Sequence, residues 1–79
     1  MQMKSFSTSD FFLSVTLCVL GHKLISIDKS DQKRNLFNFA EDSTIQQNIN
    51  LFYSDDLKLN PRIVLLQSKL VKDRLFARS

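Results

Sequence analysis

The chain has little of what usually announces special chemistry. Its 79 residues include one cysteine, one glycine, one proline, one histidine and no tryptophan. A single thiol, Cys18, excludes an internal disulfide framework and suits a reducing interior. A lone glycine, Gly21, leaves no glycine-rich loop to cradle phosphates. Long hydrophobic stretches are also missing. The apolar run Phe11 to Leu20 is interrupted by Ser14 and Thr16 and has about half the ~20 residues needed to span a bilayer. Lys4 is the only positive charge ahead of it, Asp10 abuts it, and Leu20-Gly21-His22-Lys23 is a poor signal-peptide cleavage site. The run is therefore expected to be a buried helix, with no membrane partner and a cytoplasmic location.

What is present is globular in character. The chain is 43% hydrophobic and 24% charged, too apolar for disorder, and its length allows one small domain of marginal stability. Residues 1–79 are read as that single domain, with residues 1–6 as a candidate flexible tail. Charge is unevenly distributed. Met1 to Leu57 carry five Lys/Arg against seven Asp/Glu, a net of −2, whereas Lys58 onward carries six against Asp73 alone, a net of +5. The two segments sum to the overall +3. A basic C-terminal segment attracts polyanions or acidic partners through its summed field.

Local signals predict an α+β domain in the order helix, two-stranded antiparallel hairpin, helix, helix (α-β-β-α-α). Thr8 is the expected N-cap of the first helix, with Asp10 in its first turn. Apolar spacing at Phe11, Val15, Cys18 and Val19, and at Leu13, Leu17 and Leu20, covers most of the circumference, leaving Ser9, Thr16 and Ser14 to look outward. Gly21 supplies the left-handed stop. Lys23 to Asp28 and Asn35 to Ala40 alternate as strands, Ile25 and Ile27 sharing one face and Phe37 and Phe39 another, with polar residues 29–34 as the turn. A lone ribbon is marginal, so this Ile/Phe face should pack on helix. Ser43 and Gln46 match a capping box for a helix carrying Ile45, Ile49 and Phe52, followed by a connection over Tyr53 to Lys58. Asn60-Pro61 then reads as an N-cap and first-turn proline, starting a helix to about Ala77.

Several of these landmarks occur together elsewhere. Thr8-Ser9-Asp10 opening an apolar helix, Gly21-His22-Lys23-Leu24 leading into a strand, Phe37-x-Phe39 before acidic residues, and a Pro61-led final helix resemble a family of short bacterial and phage proteins classed as a domain of unknown function. The resemblance spans about residues 6–76. It implies a bacterial or phage origin and the same element order, and it carries no activity and no functional residues. Members usually have glycine and an acidic residue in the loop that here reads Ser54-Asp55-Asp56.

Candidate chemistry is sparse. Cys18 and His22 lie one helical turn apart and could form a thiolate dyad, but an apolar helix is where cysteine serves as a small hydrophobe. Two such ligands do not complete a zinc site. Glu41-Asp42 and Asp55-Asp56 lack the alternate spacing and glycine of a calcium loop. No catalytic residue, metal site or cofactor is assigned, and the chain is read as a non-enzyme.

The last helix is more pointed. Arg62, Leu65, Lys69, Lys72 and Phe76 fall within roughly 80° of arc, a strip of three cations interleaved with two apolar residues. Ile63, Leu66 and Leu70 form a second group and Val64, Val71 and Leu75 a third, together enough to cover the hairpin and first helix. The strip, with Lys33 and Arg34 of the hairpin turn, is the candidate nonspecific, backbone-directed nucleic-acid surface. Alternatively, Leu65 and Phe76 are buried against a protein partner or a second copy. The same strip can also be an ordinary solvated face whose cationic stems cover apolar surface.

Overall fold

A computed structural model describes residues 5–31 and 33–77. The class is α+β, as expected, with one strand more than the expected hairpin. The elements are β1 (Ser5–Thr8), α1 (Phe11–Val19), β2 (Leu24–Asp28), β3 (Leu36–Ala40), α2 (Ile45–Tyr53) and α3 (Pro61–Phe76). The sheet is antiparallel in the order β1-β3-β2, so β3 lies between two strands that α1 connects. Ser5 and Phe6, expected in a tail, belong to β1. Phe6 stands opposite Phe39, and this cross-strand aromatic pair draws the segment onto the free edge of β3. The remainder of that candidate tail, residues 1–4, lies outside the described residues.

Helix α1 is the centre of the molecule. Leu13, Ser14, Val15, Thr16 and Leu17 are all buried. Ser14 and Thr16 were expected to face outward. They are covered because each hydroxyl is satisfied within the helix: Ser14 Oγ donates to the Asp10 carbonyl at 2.8 Å and Thr16 Oγ1 to the Phe12 carbonyl at 2.9 Å. Phe12 is instead turned out, 73% exposed. The N-cap is Asp10 rather than Thr8. Its carboxylate accepts the Leu13 N–H at 3.1 Å, while Thr8 ends β1 and accepts the Asp10 N–H.

At the other end Gly21, φ +94°, closes a Schellman motif. His22 N–H donates to the Leu17 carbonyl at 2.9 Å and Gly21 N–H to that of Cys18 at 3.1 Å. The end of α2 repeats this pattern without glycine. Asp56 N–H donates to the Leu51 carbonyl and Asp55 N–H to that of Phe52, with Asp55 at φ +61°. Asp55 thus adopts a backbone conformation that glycine takes without penalty.

Other local expectations are corrected in the same way. A β-bulge between Leu24 and Ser26 shifts the register, so Leu24 pairs with Phe39 and Ile27 with Phe37, and Ile25 is left exposed. The apolar face of β2 is therefore Leu24 and Ile27, not Ile25 and Ile27. Ser43 provides no capping box. Asp42 does the work, its carboxylate accepting from the Thr44 and Ile45 N–H groups and the Thr44 hydroxyl at 2.8–2.9 Å. These bonds hold its pKa below the usual carboxylate value, the Thr44 hydroxyl contributing most. Asn60 caps α3 as expected, accepting the Arg62 N–H at 2.9 Å ahead of Pro61.

The core joins α1 to Leu24, Phe37, Phe39, Ile45, Ile49 and Val71. Helix α3 contributes only Val71 as a fully buried residue, with Val64 and Leu75 packed beside it. The group Ile63, Leu66 and Leu70, expected to cover the hairpin and α1, is exposed, because the apolar side chains that α3 turns to the core are those of its Val64/Val71/Leu75 stripe. Among the described residues, no helix is long and apolar enough to cross a membrane.

Candidate nucleic-acid interface

Two polar contacts fasten the C-terminal end of α3 to the sheet. Arg74 reaches β2 at its bulge, donating from Nη1 to the Leu24 carbonyl at 2.6 Å and from Nη2 to the Ile25 carbonyl at 3.3 Å. The bulge leaves these carbonyls to be met by a side chain rather than another strand. Lys29, at the end of β2, donates to the carbonyls of Ala77 at 3.0 Å and Arg74 at 3.4 Å, placing a cation where the helix dipole is negative. Lys29 and Arg74 are thus structural, although Arg74 belongs to the basic C-terminal segment that the sequence singles out.

This attachment sets the last turns of α3 beside the β2–β3 turn and the start of α1. Lys33, Arg34 and Lys72 line one open depression of about 360 Å³, together with Phe11, Phe37, Leu75 and Phe76. Lys72 Nζ stands 5.8 Å from the centroid of the Phe11 ring, within cation–π range, and Phe11 meets Phe37 edge-on at 6.2 Å. The Lys33 backbone is held by Asp31, whose carboxylate accepts its N–H at 2.9 Å. Phe76 is 76% exposed at the rim. Four of the sequence-level candidates (Lys33, Arg34, Lys72 and Phe76) therefore meet in one place.

The remaining candidates lie further along α3. Arg62, Leu65 and Lys69 border a second open depression, of about 310 Å³, with Leu66. Arg62 and Lys72 are ten residues apart, about 15 Å along the axis. The strip is thus a track of exposed cations leading to the aromatic depression, with Leu65 66% exposed. The sequence gives no sign that Phe11 and Phe37 belong with these cations. Both read as core residues. Phe37 is indeed buried, and only the turn's position beside the start of α1 brings the half-buried Phe11 ring next to Lys72.

The Cys18/His22 pair lines a separate depression between the end of α1, β2 and α3, with Arg74. Cys18 is half-buried rather than wholly covered. Burial pushes its thiol pKa up, partly opposed by the Arg74 charge, which disfavours a reactive thiolate. His22 is engaged elsewhere: Nε2 lies 2.8 Å from Asn48 Nδ2, and Nδ1 is 3.8 Å from the Asp42 carboxylate. Among the described residues no hydrogen bond links Cys18 to His22, and no three metal-ligating side chains converge.

No protein-family model matches this chain, and neither a curated protein nor a solved structure matches it.

Proposed function

We propose that this protein is a small non-enzymatic nucleic-acid-binding module, contacting the phosphate backbone through α3 and the β2–β3 turn. The observation that carries the reading is the meeting of Lys33, Arg34 and Lys72 around a depression walled by Phe11, Phe37 and Phe76. Phe37 forms the buried floor, so the rings on offer are the exposed Phe76 and the half-buried Phe11. Cations beside accessible rings are the combination that single strands use, phosphates resting on charge and bases stacking on rings. Arg62 and Lys69 extend the same charge along the helix. With about five phosphate contacts, binding is modest, indifferent to sequence and steeply salt-dependent. A cytoplasmic setting goes with this reading, supported by the lone thiol Cys18. So does the bacterial or phage origin implied by the resemblance to short proteins of unknown function.

The test is fluorescence anisotropy of a labelled single strand of about ten nucleotides and of a duplex, each at ~50 and ~200 mM salt. Lys33→Glu, Arg34→Glu and Lys72→Glu should each weaken binding and lower the salt slope by roughly 0.7 for the single strand and 0.9 for the duplex. Lys23→Glu, beyond the opposite end of α1, is the control and should leave the slope unchanged. Absence of wild-type binding at ~50 mM salt refutes the proposal.

A further inference from the structure

Helix α3 carries a second unfilled surface, apart from the cationic depression. At about 100° per residue, Leu66, Leu70 and Ile63 share an arc of roughly 60°. They are 57%, 49% and 45% exposed, on a helix whose only fully buried residue is Val71. A stripe of three large aliphatic side chains is costly to leave in water. Next to it, on the flank away from Arg74, lie Arg62 and Asp73. Asp73 is the one acidic residue of the helix, and among the described residues it has no ion pair.

The spacing of these two charges identifies an occupant. Arg62 and Asp73 stand eleven residues apart, about 16 Å along one flank. A two-fold axis normal to a pair of side-by-side helices brings that same flank of both together with their directions opposed. Asp73 then stands opposite the partner's Arg62, and Arg62 opposite the partner's Asp73. The centre of symmetry for the charges falls between Gln67 and Ser68, and that of the Ile63–Leu70 stripe lies within about one residue of it. A parallel pair would instead put the two Arg62/Asp73 flanks on opposite sides of the interface, where neither charge meets its complement on the other copy's flank. We infer that the Ile63/Leu66/Leu70 face is a self-association surface, covered by the α3 helix of a second copy in antiparallel register. Lys33, Arg34 and Lys72 are left free at the ends of such a dimer, whereas Arg62, also part of the proposed nucleic-acid track, is engaged within it.

Sedimentation equilibrium on the full chain from about 10 to about 500 µM is the experiment, because mass action makes a dimer concentration-dependent. The wild type should show a reversible monomer–dimer equilibrium. Leu66→Glu should raise the dissociation constant at least ~100-fold by placing an unpaired charge in the interface. Arg62→Asp and Asp73→Arg should each weaken association about tenfold, and the combined exchange should restore it. Far-UV circular dichroism reports whether each variant is folded, and if Leu66→Glu is not, the charge-exchange series decides alone. A wild type that stays monomeric at ~500 µM overturns the inference and leaves the face to a different protein. So does a folded Leu66→Glu variant that still dimerises, or a double exchange no better than its single changes.

Discussion

The two helix stops, one built on Gly21 and one on Asp55, make a reciprocal test of how backbone conformation contributes to stability. Replacing Gly21 with alanine forces a Cβ into the left-handed region at φ +94°, yet the added carbon would meet no atom within 4 Å. The cost is therefore conformational and not steric. The left-handed conformation costs an L-residue roughly 1–2 kcal/mol, part of which is offset by the smaller freedom of alanine in the unfolded chain. A net loss of about 1 kcal/mol should lower the melting temperature by about 4–8 °C for a domain of this size. The converse change, Asp55→Gly, relieves a residue already at φ +61° and removes a negative charge from the C-terminal end of α2. Glycine's greater freedom in the unfolded chain reduces that gain, so a rise of a few degrees is expected. Thermal melts followed by circular dichroism at neutral pH measure both. A Gly21→Ala protein that melts with the wild type, or an Asp55→Gly protein that melts well below it, refutes the reasoning.

Three other outcomes follow from particular contacts. Arg74→Ala should cost about 1–2 kcal/mol in chemical denaturation, since two carbonyls at the bulge lose a charged donor that is partly solvated; unchanged stability would mean that the bridge holds nothing. Asp42→Ala should lower the melting temperature at pH 7, and its difference from the wild type should shrink only in acid. The folded carboxyl has a lowered pKa, so its contribution is present above the unfolded value near 3.9 and is lost as pH falls through the folded one. An equal gap at pH 7 and at pH ~2.5 would contradict that assignment. Cys18 should react with a thiol reagent several times more slowly than in unfolded protein at pH 8, because burial raises its pKa; labelling at the unfolded rate would reopen the pairing with His22.

Features specified by a few neighbouring residues were legible in advance. Gly21 as a stop, Asn60-Pro61 as a start and the Phe37/Phe39 alternation each need only local geometry, and each is found. Strand β1 was not legible because Ser-Phe-Ser-Thr holds one apolar residue and owes its form to β3, its partners lying 29 to 35 positions away. The bulge at Ile25 was hidden by the pattern Leu24-Ile25-Ser26-Ile27, which reads as plain alternation until the pairing with Phe39 is known. Periodicity on α3 sorted its side chains into three groups correctly. It could not say which group would be covered, since that depends on how much surface α1 offers. The basic residues of the candidate interface stood out by charge alone. The convergence of Lys33 and Arg34 with Lys72 depends on where the β2–β3 turn falls relative to α3.

The uneven fastening of α3 has a kinetic consequence. Val71, Leu75, Arg74 and the Lys29 contacts all hold the last turns, whereas between Asn60 and Leu66 only Val64 packs against the core. Local openings draw on the least supported segments, so amide hydrogens of the first turns of α3 should exchange with solvent sooner than those near Val71. The helix then behaves as a lever pivoting on its C-terminal end. A molecule seated along its outer face would slow exchange at the free end most, which makes the protection gradient itself a gauge of occupancy.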